Sequence, residues 1–260
     1  MRRCCFCQGC GWLVGSWLAA CLSAAPAFAE ERRTEVEISQ RYEWVDSGFA
    51  DWQAQRLDWQ TGQPGAITWY GAALRERRYA LWDQGVELGA AVPLGDDWVL
   101  QPEVGSAFSP DFLPDWYADL RLQSRLTAGF VGSTSLRHTE YVDSRVDRLA
   151  LGIERYWGAW RMAYTLNVSD VQGAGTPVGH AVALDHYYGE RSVVGLRAGL
   201  GREEEVVRDG EVTVSSVAAF AVRGRHWFHP EWAINWELGA LSQGDIHDRY
   251  GMQLGLRHAF

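Results

Sequence analysis

Serine, histidine and asparagine side chains in the middle of the chain offer the parts of a hydrolytic site. Ser133, Ser135 and His138 lie close together in the sequence, and Asn167 follows on a later segment. A serine nucleophile needs a histidine base within hydrogen-bonding distance and a polar residue that orients the histidine. Ser135 and His138 have odd spacing, however, so in an extended segment they point to opposite faces. No G-x-S-x-G motif occurs. We therefore expect no enzyme, and a lipid-acting enzyme is the least favoured of three functional hypotheses.

Residue types that bind metals are also poorly placed for that chemistry. None of the seven histidines occurs in an HExxH motif or another metal-ligand spacing. All five cysteines lie near the start of the chain, at Cys4, Cys5, Cys7, Cys10 and Cys21. We expect neither a metal site nor a cofactor.

The beginning of the chain has the pattern of an export signal. Two arginines are followed by an apolar stretch at 11–20 and by an A-x-A sequence that ends at Ala29. We predict a signal peptide at 1–29 and a mature domain at 30–260. Cys21 ends a sequence that resembles a lipobox, so its lipidation stays open as the alternative to cleavage after Ala29.

The composition limits the partners and the way in which the chain can meet a membrane. The formal net charge is −9, and all 24 Lys and Arg positions are arginine. An acidic chain without a basic stripe argues against nucleic acid as a partner. After the export signal no stretch approaches the roughly 18 apolar residues of a transmembrane helix. A membrane-spanning form must then be a closed barrel, because open sheet edges cannot face lipid.

Residues 250–260 show the alternation of a strand that spans a membrane. One face carries Tyr250, Met252, Leu254, Leu256, His258 and Phe260, and the other face carries small or polar residues. About ten such residues cross a bilayer as a tilted strand. An aromatic C-terminus on such a strand resembles the recognition signal of outer-membrane barrels. We therefore predict that Tyr250, Met252, Leu254, Leu256 and Phe260 are read by the barrel-assembly machinery.

The same period of two recurs along the whole mature chain. It predicts strands at 34–44, 51–60, 66–75, 79–92, 98–108, 115–124, 130–140, 146–156, 159–168, 180–188, 192–201, 212–226, 231–241 and 250–260. The alternation of the second strand slips between Trp52 and Leu57, which we interpret as a β-bulge. The pattern predicts an all-β fold, a transmembrane antiparallel up-and-down β-barrel of about 14 strands, located in the cell outer membrane.

The connections and the tryptophans agree with this barrel. Short connections alternate with longer ones such as 169–179 and 202–211, as short periplasmic turns and longer outer loops do in outer-membrane barrels. The aromatic rings suit the boundary between membrane and water. The tryptophans that flank the predicted periplasmic turns are Trp98, Trp157, Trp160, Trp227 and Trp232.

The chain resembles the YaiO family of outer-membrane β-barrels. The resemblance is clearest in the sequence LRHTEY at 136–141, in 149–157, in the sequence RMAYTL at 161–166, and in the glycine-rich connection that follows. It implies an outer-membrane location and no agreed reaction or catalytic residues. A more remote resemblance to the barrels of exopolysaccharide exporters suggests polysaccharide machinery as a partner.

Charged residues that alternate with the apolar face are predicted to line the lumen, because charge on the lipid face destabilises a barrel. They are Glu35, Glu37, Arg41, Glu87, Glu103, Asp119, Arg121, Glu154, Arg161, Asp185, Arg197, Arg223, Arg225, Glu237 and Arg257. Opposite charges face each other on several adjacent strands.

Particular pairs follow from the strand order. Glu154 faces the strand of Arg161, and barrel closure brings the strand of Arg257 beside Glu35 and Glu37. Asp185 likewise faces the strand of Arg197.

Glu87 and Glu103 are like-charged neighbours, and we expect Arg121 to neutralise them.

Two interpretations of the lumen stay open. Paired charges either knit a polar core or line a water-filled path that selects solutes. We expect a narrow channel or export pore for small hydrophilic solutes or glycan. The alternative is a non-conducting surface barrel that binds a ligand, a partner or phage through its outer loops, for which the acidic segment 202–211 is a candidate. Outer-membrane lipid and lipopolysaccharide are further expected partners, and we expect a monomer.

Overall fold

The computed structural model describes residues 33–260 apart from 47, 49, 79, 143, 174, 208–210 and 245–246. Of 203–207 and 211–214 it describes the backbone alone. The predicted signal peptide at 1–29 and the lipidation alternative at Cys21 lie outside the described residues, as do the side chains of the acidic segment.

Within the described ranges, fourteen antiparallel strands form one closed barrel in which each strand pairs with its neighbours in the chain and β1 pairs with β14. This confirms the predicted fold. The strands are β1 Arg33–Val45, β2 Trp52–Gly62, β3 Thr68–Arg78, β4 Leu81–Leu94, β5 Trp98–Ala107, β6 Trp116–Arg125, β7 Phe130–Glu140, β8 Arg145–Trp157, β9 Trp160–Val171, β10 Val178–Tyr188, β11 Ser192–Val207, β12 Glu211–His229, β13 Trp232–Gln243 and β14 His247–Ala259.

One short 3₁₀ turn, Thr127–Gly129, joins β6 to β7. Among the described residues, no helix is long and apolar enough to span a bilayer.

Both the start of β1 and the end of β14 lie at one end of the barrel, which we assign to the periplasm. The opposite end is the outer end, and it carries the longest connection, 108–115.

The polarity of the barrel is the reverse of that of a water-soluble protein. Along β1 the carboxylates of Glu35 and Glu37 and the hydroxyl of Ser39 are buried, whereas Ile38 is 64% exposed. Successive side chains of a strand point to opposite faces, so the charged residues point into the barrel and the apolar ones point outward. Such a surface is stable only where hydrocarbon covers it.

The predicted β-bulge in β2 is wrong. β2 pairs without a register shift with both β1 and β3. Its alternation slips because Trp52 points inward and is 6% exposed, while Gln53 and Gln55 occupy outward positions. The side chains, rather than the backbone, depart from the expected pattern.

The register shift of the barrel lies instead near the periplasmic end of β12, between Trp227 and His229. Trp227 shares its face with the inward residues of β12, and the guanidinium of Arg191 lies 3.3 Å from the centre of its ring. The prediction that Trp227 belongs to the membrane-facing aromatic belt is therefore wrong, although Trp98, Trp157 and Trp160 are exposed on the outward face.

Two predicted outer loops are shorter than expected because their flanking strands continue. β9 and β10 leave only 172–177 between them, and β11 and β12 leave only 208–210. In the second case Val206 pairs with Val212. β-Branched residues favour strands, and here they extend the hairpin through most of the segment that was predicted to be a loop.

Candidate functional site: the barrel lumen

The structure places all fifteen predicted lumen-lining residues at inward positions of the sheet, and none of them is exposed. They do not behave as one group. Some form a buried ion-pair network, and others line open space.

The buried ion-pair network consists of Glu154, Arg161, Asp185 and Arg223. Arg161 donates Nε and Nη2 to the two oxygens of Glu154, both at 2.8 Å, and Nη1 to Asp185 at 2.6 Å. Arg223 donates to the other oxygen of Asp185 at 2.8 Å. Arg161 and Asp185 are each 1% exposed. At the level of Asp185 these charges fill the lumen beside β8 to β10, whereas the side chain of Arg223 is 22% exposed and lines the inner cavity.

The ion-pair partners of Asp185 differ from the expected one. Asp185 does face the strand of Arg197, but its carboxylate binds Arg161 and Arg223. Arg223 lies on β12, two strands away, and its long side chain reaches along the tilted wall of the barrel.

A second network closes the seam between β1 and β14. Arg257 binds Glu35 at 2.8 Å and Glu37 at 2.6 Å, as barrel closure predicted. Arg191 approaches Glu35 from the β10–β11 turn at 2.5 Å. Asn235 also donates a hydrogen bond to Glu37. These contacts tie the first strand to the last quarter of the barrel near the periplasmic end.

The prediction that Arg121 neutralises Glu87 and Glu103 is wrong. Glu87 is paired with Arg56 at 2.5 Å, and Glu103 accepts a hydrogen bond from the hydroxyl of Tyr117 at 2.8 Å. Arg56 also binds Asp58 at 2.7 Å. Sequence reasoning missed this pair because the inward residues of β2 could not be identified from its irregular alternation.

Two cavities lined by both polar and apolar residues lie in the remaining lumen. The outer cavity has a volume of about 350 Å³ and is lined in part by Ser106, Leu113 and Asn167. The inner cavity has a volume of about 330 Å³ and reaches Gln60 and Arg257 toward the periplasmic end. The two cavities adjoin along a boundary that we call the waist, formed by the residues that line both, namely Tyr70, Leu74, Glu76, Arg78, Glu87 and Arg197.

Two glycines leave room for tyrosine rings along the wall of the lumen. Tyr70 lies opposite Gly89, and Tyr117 lies opposite Gly105. A Cβ atom at either glycine would lie within 2.4 Å of the ring. The rings therefore lie across backbone that carries no side chain, flat against the wall, and leave space in the lumen.

The connection 108–115 narrows the outer mouth. The carboxylate of Asp83 accepts hydrogen bonds from the backbone N–H groups of Asp111, Phe112 and Leu113, at 2.7 to 3.0 Å. Asp83, Phe112 and Leu113 are buried. The connection is thus folded inward and fixed to β4, and Leu113 forms part of the cavity wall.

The serine and histidine considered for a hydrolytic site lie on opposite sides of the sheet. Ser135 points inward and donates to Asp119 at 2.9 Å. His138 lies on the outward face, where its Nδ1 is 2.6 Å from Asp147 and its ring is 5.0 Å from that of Trp116. The structure does not bring Ser135 and His138 together, and the absence of an enzyme activity stays a prediction.

A closed antiparallel barrel with buried charge inside and an exposed apolar belt outside defines an outer-membrane β-barrel protein. The family model of the YaiO membrane beta barrel domain matches residues 33–206. The chain belongs to the YaiO family of membrane β-barrels, and its location is the outer membrane.

Solved structures with little sequence identity share the fold. Omp33 of Acinetobacter baumannii is 10% identical, with a TM-score of 0.53 over 88% of this chain and 99% of that chain. OmpF of Salmonella typhi, in a complex with daunomycin, is 9% identical, with a TM-score of 0.52 over 89% of this chain and 98% of that chain. A comparison with curated proteins finds no match.

Proposed function

We propose that this protein is a narrow channel for small hydrophilic solutes, including short glycans. The observation that carries the proposal is the pair of cavities that adjoin at the waist. Together they extend from the outer mouth beside Leu113 to Arg257 near the periplasmic end. A filled barrel core would leave no polar space of this size.

The waist would select solutes by its mixed charge. It carries the carboxylates of Glu76 and Glu87 and the guanidinium groups of Arg78 and Arg197, and Tyr70 adds a ring. Rings of a single sign repel ions of that sign, whereas mixed charges offer donors and acceptors to neutral polar molecules. An uncharged, hydroxyl-rich solute fits this lining better than a multiply charged ion.

Single-channel recording in planar bilayers tests the proposal. The unmodified barrel should conduct, and a short oligosaccharide on the outer side should reduce the current. Arg197→Ala shortens a side chain that lines both cavities, so it should raise the conductance. Arg145→Ala is the matched control, since Arg145 is an exposed arginine on the outward face. Absence of current from both the unmodified protein and Arg197→Ala would contradict a channel.

A non-conducting surface barrel is the second candidate. It is favoured by the buried ion-pair network, which fills the lumen beside β8 to β10 at the level of Asp185, and by the connection that Asp83 holds over the mouth. It predicts no current, together with loss of ligand or phage binding when residues 203–210 are deleted from a barrel that still folds.

A further inference from the structure

The outward surface of the barrel carries a polar patch near the outer end of β1 to β4. Two adjacent rows of directly paired residues form it. The lower row is Gln40, Gln55, Arg75 and Gln84, and the upper row is Tyr42, Gln53, Arg77 and Trp82. We call these eight residues the lipid-facing polar patch.

The strand register shows that the patch lies on the outward face of the barrel. The row directly below it contains Ile38, Leu57 and Val86, which are apolar and exposed. Residues two positions further along each strand face the same side. Arg75 and Gln84 are accordingly exposed as well. The patch therefore interrupts the apolar belt of the barrel in the half that faces the outer leaflet.

Arg75 and Arg77 are neighbouring arginines of the outward face that have no acidic partner among the described residues. In the lumen Arg161 is held by two carboxylates, and on the outward face Arg145 lies 3.6 Å from Asp147. Among the residues that the structure describes, neither Arg75 nor Arg77 forms an ion pair, and Nε of Arg77 is buried without a hydrogen-bond partner. Unpaired charge on a lipid face is costly and marks a functional site.

The groups around the two arginines suit a phosphorylated sugar. The guanidinium of Arg75 lies 4.2 Å from the centre of the Trp82 ring, which restrains its plane. A guanidinium binds a phosphate through two parallel hydrogen bonds. The glutamine amides both donate and accept, and they match sugar hydroxyls. The lipid of the outer leaflet that carries phosphate groups on sugars is lipopolysaccharide.

We propose that the lipid-facing polar patch binds the phosphorylated sugar headgroup of lipopolysaccharide, with Arg75 and Arg77 as its phosphate ligands. The phosphate would be the counter-ion of the two arginines, since the nearby carboxylate of Asp51 accepts a hydrogen bond from Tyr42 instead. The site lies on the outside of the barrel, so it is independent of whether the lumen conducts.

Binding of lipopolysaccharide to the purified barrel in detergent, measured by native mass spectrometry, tests the proposal. The double variant Arg75→Gln, Arg77→Gln should bind about tenfold more weakly or worse, because both phosphate contacts are lost. The matched control is Arg145→Gln, Arg155→Gln, which removes two exposed arginines outside the patch and should bind as the unmodified protein does. Retarded gel mobility without boiling verifies that each variant is folded. Equal binding by the patch variant would overturn the proposal.

Two measurements on the unmodified protein decide the matter even if the patch variant does not fold. Lipid A without its phosphates should bind at least about tenfold more weakly than phosphorylated lipid A, and equal binding would refute the role of phosphate. Phosphatidylglycerol should bind more weakly than lipopolysaccharide, because it lacks the sugar. Equal binding of the two lipids would show that the patch binds anionic lipids in general, and it would overturn the proposal of a site for lipopolysaccharide.

Discussion

The two sides of the lumen use the same residue types and differ in what those residues leave open. On the β8–β12 side, Arg161 lies between Glu154 and Asp185, and Asp185 also binds Arg223. On the β2–β5 side, Arg56 binds Glu87, but both side chains remain partly exposed and line a cavity. Ion pairing alone therefore does not close a lumen. In the buried network Arg161 and Asp185 each bind two partners of opposite charge and are almost inaccessible to solvent.

Glycines produce opposite results on the two sides. Next to β4 and β5, glycines let tyrosine rings lie against the wall, as Tyr70 does opposite Gly89. On β11, a Cβ at Gly195 would lie 2.1 Å from Oδ1 of Asp185, so this glycine makes room for the carboxylate of the buried network. The position of each glycine determines whether its neighbour fills the lumen or leaves it open.

Among the variants that test the difference between the two sides of the lumen, Arg161→Ala should lower the stability of the barrel most. It leaves the carboxylates of Glu154 and Asp185 without their shared guanidinium, and breaking a buried ion pair costs about 3–5 kcal/mol. The free energy of unfolding in urea, measured in lipid vesicles, should fall by that amount.

The control for this variant is Arg145→Ala, at an exposed ion pair on the outward face. Exposed pairs contribute only about 0–1 kcal/mol. If Arg161→Ala were no more destabilising than Arg145→Ala, the network would not be what stabilises the filled side.

Gly195→Ala should have the next largest effect. The added methyl group collides with Asp185 and lies 3.0 Å from the backbone oxygen of Leu184. Overpacking of this kind costs about 1–3 kcal/mol. The same urea titration should show a loss close to zero for Gly239→Ala, where the nearest atom to the new Cβ lies 3.4 Å away. Equal losses would mean that Gly195 is not needed to admit the carboxylate.

Asp83→Ala should open the unfilled side further. It removes the acceptor that three backbone N–H groups of the connection 108–115 share, and unbonded groups of this kind cost about 1–3 kcal/mol. We expect the connection to leave the mouth, where water can satisfy these groups. The single-channel conductance should then rise.

Asp147→Ala is the control for this prediction, since it removes the same charge from the outward face at the outer end. A conductance that Asp83→Ala leaves unchanged would show that the connection does not narrow the path.

The sequence predicted the architecture well where the two faces of a strand differ in polarity. In β13, Trp232, Ile234 and Trp236 are outward and apolar while Asn235 and Glu237 point inward. The hydrophobic face therefore identifies the lumen face without any structure, and the same holds for most strands that supplied the predicted lumen set.

Prediction failed in β3, where both faces are charged near the outer end. Glu76 and Arg78 point inward, whereas Arg75 and Arg77 belong to the lipid-facing polar patch. No period-two signal can separate two polar faces. The lumen residues of β2 and β3 were missed because the outward residues of these strands are polar as well. Once the register is known, these outward polar residues are recognisable as the patch.

Ion-pair partners on adjacent strands could be predicted, as for Arg257 with Glu35, but partners two strands apart could not. Asp185 binds Arg223 two strands away because tilted strands bring residues at different heights to the same level. Strand order alone contains no information on this stagger. The buried network was thus predicted as a set of residues and, for Glu154 with Arg161, as a contact, but its contact with Arg223 was not predicted.

Glu87→Gln should have the smallest effect on stability, and it should still distinguish the β2–β5 side of the lumen from the β8–β12 side. The amide has the shape of the carboxylate, and Arg56 keeps Asp58 as a partner at 2.7 Å, so the loss should stay near the 0–1 kcal/mol of a solvated pair. Glu154→Gln in the filled network should cost more, since Glu154 accepts two hydrogen bonds from the buried guanidinium of Arg161. At the waist, however, Glu87→Gln removes one negative charge. The reversal potential in a salt gradient should therefore shift in the direction of greater anion selectivity. A stability loss as large as that of Glu154→Gln, without any shift in reversal potential, would mean that the β2–β5 side is also a filled core.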